Sequence, residues 1–390
     1  MMKHPLYLVL GGVFALFIAM SIGRFAYTPI LPFMQLEKGF STVFAGTLAS
    51  ANYAGYLVGA LAGSIFPIGR YRTRLLYVSL ATSITLTFAM GLVDSHVLWI
   101  VFRFISGVTS AFVFVLTSSI ILDRLAAIGR IGLSGVMYAG VGLGIFVSGL
   151  VVQPLITRYT SDGAWIGLGC IALLLALYVI TVVKEPKTDS SQAVPIATAK
   201  KRFEPWLVWL LIAYGLEGLG YIITGTFIVA IAETSDVFMG SGTQVWAIVG
   251  LAAVPSTMIW AFVGSRFGWM KSFIALLVIQ AIGVALPALS ESPTSFYASA
   301  ILFGATFMGV TVLVASYARE KFPHASARIL SVLTVTYALG QMIGPIIASW
   351  LASQTGSFGS ALIGASVVIA LGALCTVPIL WIEKNKTPAN

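Results

Sequence analysis

Charged residues are scarce in this chain: Asp, Glu, Lys and Arg make up 9% of its 390 residues, while 58% are hydrophobic. A soluble domain carries about 25% charged residues, which help to cover the surface that faces water. A chain with so few charges cannot cover such a surface, so its main solvent is lipid. The composition therefore predicts a protein embedded in a membrane.

Cysteine and histidine are also scarce, with two and three residues. Cys170 and Cys375 fall in separate apolar stretches, so they indicate neither a disulfide framework nor a metal site. All three histidines lie at loops or chain ends, which leaves no Ser–His pair inside the membrane, and no His, Asp and Glu cluster suggests a catalytic metal. We therefore expect no enzyme activity, no metal and no cofactor.

The net charge of +9 could suggest a nucleic-acid-binding protein. The basic residues, however, lie in short loops between apolar runs and not along one face of a folded domain. We therefore expect a lipid bilayer as the partner and no nucleic acid.

Apolar stretches of about 20 residues are long enough to cross a bilayer as helices. The sequence contains twelve of these stretches. Several are joined by only a few residues, which predicts that neighbouring helices are antiparallel. The predicted spans are 7–34, 43–66, 75–93, 97–122, 132–154, 164–183, 206–232, 243–263, 272–290, 295–318, 328–351 and 358–382.

Basic residues predict the orientation of these spans. If the N-terminus is cytoplasmic, the external loops hold only two of the 22 Lys and Arg residues, Lys38 and Arg158. Such an asymmetry follows the positive-inside rule, and one miscounted helix would destroy it. We therefore expect a multi-pass protein of the bacterial inner membrane with both termini in the cytoplasm.

A polar segment divides the spans into two groups of six. Residues 185–204 are rich in Lys, Ser, Thr and Pro, which is typical of a solvated linker. We therefore predict a bundle of six helices over residues 1–184, a cytoplasmic linker over 185–204, and a second bundle over 205–390. Two pseudo-symmetric halves are the plan of a transporter that works by alternating access.

Several short motifs carry a family resemblance. They are Gly69-Arg70-Tyr71-Arg72 after the second span, Arg266-Phe267-Gly268 after the eighth, Arg103-Phe-Ile-Ser-Gly107 in the fourth, and GRFAYTPILP over residues 23–32 in the first. The layout and these motifs resemble the major facilitator superfamily, and the last motif resembles a poorly characterised bacterial branch of it. The resemblance implies an all-helical fold with a central cavity lined by helices one, four, seven and ten.

The loop motifs lack the acidic residues that the superfamily signature carries. The resemblance therefore does not extend to the charge relay between acidic and basic side chains that is usually assigned to this signature. The basic side chains can still interact with helix C-termini and anionic lipid headgroups. We expect a gating or structural role for five residues near that membrane face: Arg70, Arg72, Asp123, Arg124 and Arg266.

Three ionisable residues lie well inside the predicted spans: Arg24, Arg103 and Glu217. A charge at the centre of a membrane helix costs about 2.5–3.5 kcal/mol even on lenient scales, so a functional role is the default. The resemblance places both arginines on the substrate path, where their guanidinium groups favour a small anion. A structural brace is the alternative for Arg103, and a static salt bridge with either arginine is the alternative to proton transfer for Glu217.

Polar residues at helical spacing extend the predicted substrate site. The best candidates besides the two arginines are Tyr27, Asn52, Tyr221, Tyr337 and Gln341. Taken singly, each of them is more often an interhelical hydrogen bond than a ligand contact.

The sequence therefore predicts a monomeric, proton-coupled carrier of a small organic anion. The alternative within transporters is a proton-driven exporter of lipophilic or cationic compounds, which the aromatic-rich spans permit. The rival classes are a channel, against which the plan of two halves argues, and an intramembrane enzyme, against which the absence of a His or a metal-ligand cluster in the spans argues.

Overall fold

A computed structural model describes residues 5–65, 71–130, 133–184, 205–238, 240–322 and 326–386, and the regular structure in these ranges is helical throughout. The predicted linker 185–204 and Arg70 lie outside the described residues.

The helices follow the predicted spans closely. Their bounds are α1 Pro5–Lys38, α2 Thr42–Ile65, α3 Arg72–Leu92, α4 His96–Ala127, α5 and α6 within Ser134–Val182, α7 Pro205–Glu233, α8 Gly242–Ala253 with Ser256–Phe267, α9 Trp269–Leu289, α10 Pro293–Lys321, α11 Ser326–Thr355, and α12 Gly359–Lys386. Within the described residues, nine continuous helices are long and apolar enough to cross a membrane, and α8 qualifies as a pair bent by 42°. The remaining helix, α2, has 24 residues and packs against α4 and α11.

The long helical stretch Ser134–Val182 contains two spans. Its 49 residues would extend about 70 Å as one straight helix, more than twice the thickness of a bilayer core. The backbone bends at Thr160, whose φ of 66° is left-handed. The Glu37 carboxylate accepts the backbone N–H and the hydroxyl of Ser161, and so caps the first residue after the bend. The stretch thus divides into α5 over 134–159 and α6 over 161–182, and the twelve-helix prediction is confirmed.

The middle of α1 is a π-helix over Phe17–Phe25, a feature that the sequence did not predict. A π-helical turn is wider than an α-helical turn and often occurs at functional sites. Hydroxyl groups of α4 bind its carbonyl groups: Ser110 donates to Ala19 O and Ser106 to Gly23 O, each at 2.7 Å. Side chains of a neighbouring helix therefore support the segment that contains Arg24.

Glycine lets α2 and α4 cross at very short range. A Cβ atom on Gly55 would lie 1.9 Å from Phe104 O, and one on Gly107 would lie 1.9 Å from Asn52 O. The crossing brings Asn52 and Arg103 to the same level of the bundle, beside the π-helical segment of α1. Helix packing thus determines which side chains can reach Arg24.

Helices of the first six also contact helices of the last six, chiefly as the pairs α2–α11, α5–α8 and α1–α7. Thr28 of α1 donates to Gly225 O at 2.6 Å, and Ser241 donates to Gln153 of α5 at 3.2 Å. These two hydrogen bonds join the first six helices to the last six in the part of the bundle that is remote from both termini.

Candidate substrate site between α1, α7 and α11

Arg24 lies at the junction of the first and last six helices and is only 3% exposed. Its Nη2 donates to Gln341 Oε1 of α11 at 2.6 Å. The guanidinium carbon lies 4.3 Å from the ring centroid of Tyr56 and 4.9 Å from that of Tyr53, so aromatic faces provide part of its electrostatic environment. Among the described residues, no carboxylate pairs with Arg24, and its Nε has no hydrogen-bond partner.

Arg103 is as deeply buried, at 2% exposure, but its surroundings differ. Its three guanidinium nitrogens donate to backbone carbonyl groups: Nη2 to Arg24 O at 3.2 Å, Nη1 to Gly23 O at 3.4 Å, and Nε to Leu48 O at 3.5 Å. The group also lies over the Tyr27 ring, 4.7 Å from its centroid. In this conformation Arg103 braces α1 and α2 against α4, which is the structural alternative that the sequence left open.

Asn52 and Tyr27, two other predicted site residues, belong to the same structural region. Asn52 Nδ2 donates to Arg103 O at 2.9 Å, and the Tyr27 hydroxyl donates to Ala45 O at 3.0 Å. Both side chains are buried and bind main-chain atoms of the first six helices. In this conformation their hydrogen bonds are to the main chain, and none of them is to the Arg24 side chain.

The other three predicted residues, Gln341, Tyr221 and Tyr337, form a connected group in the last six helices. Gln341 Nε2 donates to the Tyr221 hydroxyl, while its Oε1 accepts from Arg24. The Tyr221 ring is stacked on Tyr337 with centroids 5.5 Å apart, and Tyr337 is stacked on Tyr214 at 4.4 Å. The polar and aromatic group therefore runs from α1 through α11 into α7.

Glu217 is fully buried on α7 beside this group. Its carboxyl group interacts with the side chains of Gln280 and Tyr337. Neither carboxyl oxygen has an aligned hydrogen-bond partner, and both polar atoms of Gln280 lack one as well. Among the described residues, Glu217 forms no ion pair with either membrane arginine, so the static salt bridge considered from the sequence is not formed in this conformation.

The structure also locates the predicted gating residues. Arg72 Nη1 lies 2.7 Å from Asp123 Oδ2, so Asp123 of α4 supplies the acidic partner that the loop motif lacks. Arg124 donates to Val182 O and Lys184 O at the C-terminal end of α6, and Arg266 lies in the last turn of α8. Three of these arginines thus lie near helix ends on the same side as the termini, whereas Arg70 is outside the described residues.

Gln280 is the residue that sequence reasoning missed. It is an amide in the middle of the apolar α9 and is completely buried. A lone amide inside a membrane helix is itself a signal, but nothing in the sequence indicated that α9 would face Glu217. The described residues contain no group of three or more His, Cys, Asp and Glu side chains that could hold a metal.

Comparison with known proteins identifies the family. A family model described as "Uncharacterised MFS-type transporter YbfB" (MFS_4) matches residues 16–377, which is nearly the whole chain. The chain belongs to this family. It is therefore a major facilitator transporter of a small solute and not an enzyme.

Two curated relatives agree with this family assignment. This chain is 26% identical over 363 residues to the uncharacterized MFS-type transporter YceJ of Bacillus subtilis, a match that covers 89% of this chain and 90% of YceJ. It is 24% identical over 378 residues to the cis,cis-muconate transport protein of Acinetobacter baylyi, with 90% and 88% covered.

Solved structures confirm the fold. A variant of the nucleoside transporter NupG superimposes with a TM-score of 0.76 at 16% identity, covering 95% of this chain and all of that structure. A second NupG structure gives a TM-score of 0.72, with 98% and 99% covered. The predicted major facilitator fold is thus confirmed.

Proposed function

We propose that this protein is a proton-coupled secondary transporter that carries a small organic anion by alternating access. The observation that carries the proposal is Arg24, a guanidinium group buried between the first and last six helices without a described acidic partner. A buried charge is costly unless something compensates it, and a negatively charged substrate would do so.

The geometry around Arg24 supports a planar carboxylate as the substrate group. Guanidinium groups bind carboxylates through two parallel hydrogen bonds, and the unpartnered Nε offers one of the two donors. The rings of Tyr53 and Tyr56 provide flat surfaces beside it. The relative named for cis,cis-muconate supports this choice, because muconate is a flat, conjugated dicarboxylate.

Alternating access would use the two predicted halves, residues 1–184 and 205–390, joined by the linker 185–204. Arg24 belongs to the first half, and its amide partner Gln341 belongs to the second. A substrate held at this level would contact both halves. We place the protein in the bacterial inner membrane as a monomer with both termini in the cytoplasm, as the distribution of basic residues predicts.

Glu217 is our candidate for proton coupling. Carboxyl groups inside membrane helices recur as proton relays in transporters. Its contact with Tyr337 connects it to the Tyr221 and Gln341 group, and so to the Arg24 side of the site. A change at the anion site could therefore alter the surroundings of the carboxyl group without a direct ion pair.

Counterflow in proteoliposomes tests the proposal. Vesicles containing the full chain would be loaded with one unlabelled acid and exposed to the same labelled acid, for a panel that includes cis,cis-muconate and monocarboxylates. We expect exchange of at least one acid and its loss in Arg24→Ala. If the uptake of every acid is the same in the variant and in the unsubstituted protein, the anion site is refuted.

The same assay addresses export of lipophilic compounds. The stacked rings of Tyr221, Phe303 and Phe307, with centroids 5.4–6.3 Å apart, are the observation that favours it. Transport of an aromatic cation that persists in Arg24→Ala would support this second function and refute the first.

A further inference from the structure

The guanidinium group of Arg24 has one edge that is half used. Nε and Nη2 lie on the same edge, which is one of the two edges of the group that can donate two parallel hydrogen bonds to a carboxylate. Nη2 donates to Gln341 Oε1 at 2.6 Å, while Nε is buried and has no partner. The amide oxygen of Gln341 thus occupies one of the two positions that the oxygens of a carboxylate would take.

The orientation of the Gln341 amide is determined by its two partners. A guanidinium group only donates hydrogen bonds, so the amide oxygen must face Arg24, and the amide nitrogen is left to donate to the Tyr221 hydroxyl. Gln341 is only 1% exposed, so water does not compete for either bond. The side chain therefore joins α1 to both α11 and α7.

We propose that Gln341 is a displaceable latch: it occupies the anion-binding edge of Arg24 in the substrate-free protein, and a substrate carboxylate replaces it. The inference rests on the proposed anion transport. It makes Gln341 a competitor of the substrate for Arg24 and not an additional residue that binds the substrate. A carboxylate carries a negative charge and can accept from both nitrogens of this edge, whereas the amide offers one neutral oxygen, so a carboxylate displaces the amide oxygen.

Displacement has a structural consequence. The Arg24–Gln341 bond joins residues 317 positions apart and links the first six helices to α11. Its loss removes a direct polar contact between the halves at the level of the substrate. A ligand shifts a conformational equilibrium only through contacts that differ between states, and this contact would differ between the free and occupied protein.

Binding of cis,cis-muconate to the full chain in lipid nanodiscs tests the displacement, with its uncharged dimethyl ester as the control ligand. We expect Gln341→Ala to lower the Kd of muconate about tenfold, because the variant has no competing amide. Gln341→Glu should raise the Kd about tenfold or more, since a built-in carboxylate then occupies Arg24. Arg24→Ala should abolish binding.

A matched variant controls for the general loss of a contact between the halves. Gln153 of α5 accepts hydrogen bonds from Ser241 and Thr243 near α8 and does not contact Arg24. Gln153→Ala should leave the muconate Kd unchanged. If Gln341→Ala weakens binding, or Gln341→Glu binds like the unsubstituted protein, the latch is wrong although anion transport stands.

The latch can also be measured without any anion. In thermal unfolding, the effects of Arg24→Ala and Gln341→Ala on Tm should be non-additive, because either substitution removes the same bond. Additive effects would overturn the latch whatever the substrate is. If the effects are non-additive but no acid binds, the Arg24–Gln341 bond is present, but its displacement by a carboxylate and the proposed anion transport both fail.

Discussion

Arg24 and Arg103 have the same charge, nearly the same burial and adjacent positions in the bundle, yet their partners differ in kind. Arg103 donates to three backbone carbonyl groups, which belong to the protein in every state that keeps α1, α2 and α4 packed. Arg24 donates to a side-chain amide from the other half of the chain and keeps one nitrogen unpartnered. Burial alone therefore does not separate the two arginines, whereas the chemistry of their partners does.

The π-helical segment of α1 explains why the neighbouring arginines differ. Its carbonyl groups are available to side chains, and the close crossing of α2 and α4 brings Arg103 to them. Arg24 lies on the segment itself and faces α11. One irregular turn thus holds the brace on one side and presents the candidate anion site on the other.

The largest expected effect is on stability at Arg103. Arg103→Ala leaves the Leu48, Gly23 and Arg24 carbonyl groups with fewer donors, and should lower the free energy of unfolding by about 3–5 kcal/mol. The measurement is thermal unfolding in detergent, with Arg24→Ala compared in parallel. Equal losses of Tm in the two variants would remove the distinction between brace and binding group.

The next effect is on transport at Arg24. Arg24→Ala should reduce exchange of the transported acid about a hundredfold, equivalent to about 2.7 kcal/mol, while the protein elutes as a folded species. Arg24→Lys should retain part of the activity, because an ammonium group keeps the charge but cannot bind a carboxylate through a planar pair of donors. Full activity in Arg24→Ala would show that the charge is not used for substrate.

Glu217 extends the comparison into the last six helices. Glu217→Gln keeps the shape of the side chain but cannot release a proton, so accumulation driven by a pH gradient should fall about tenfold or more. Counterflow without a gradient should continue, because it requires no net proton movement. Intact accumulation in this variant would rule out coupling through Glu217.

A smaller effect is expected for the hydroxyl groups that support the π-helical segment. Ser106→Ala and Ser110→Ala each remove one donor at 2.7 Å, and each should cost about 1 kcal/mol of stability. Thermal unfolding measures the loss, and Ser353→Ala, which removes an exposed hydroxyl near the end of α11, is a matched control. No change in Tm for Ser106→Ala or Ser110→Ala would mean that the wide turn does not need these donors.

The smallest effect should occur at Arg72. Its partner Asp123 has a side chain that is 61% exposed, and surface ion pairs contribute about 0–1 kcal/mol. Arg72→Ala should therefore change the Tm very little, and less at high salt, in contrast to Arg103→Ala. A large loss of stability would indicate that this pair is a structural contact comparable to the Arg103 brace.

Much of the fold was predictable because each membrane-spanning helix can be recognised from its own stretch of sequence. Each span is an apolar run of sufficient length, and both ends of nearly every run lie within a few residues of the observed helix. The π-helical turn in α1 was not predictable, and neither was the helical form of the connection that the sequence placed between residues 154 and 164, because each depends on side chains from distant helices. Asp123 as the partner of Arg72 was missed for the same reason.

The candidate site was predictable in its residues but not in their arrangement. Arg24, Arg103 and Glu217 stand out because charges are rare in apolar spans. Sequence spacing could not show that Arg24 meets Gln341 while Arg103 meets backbone carbonyl groups, since both contacts join separate helices. Gln280 became a neighbour of Glu217 only through the packing of α9 beside α7.

The sequence by itself determined that the chain lies in a membrane, that its spans are helices, and which few charges are buried, because hydrophobic length and helical hydrogen bonding are properties of each segment. Only the tertiary structure decided which groups those charges contact. Interhelical contacts join residues hundreds of positions apart, and the chemistry of those contacts makes one arginine a brace and leaves the other with a half-used edge facing Gln341.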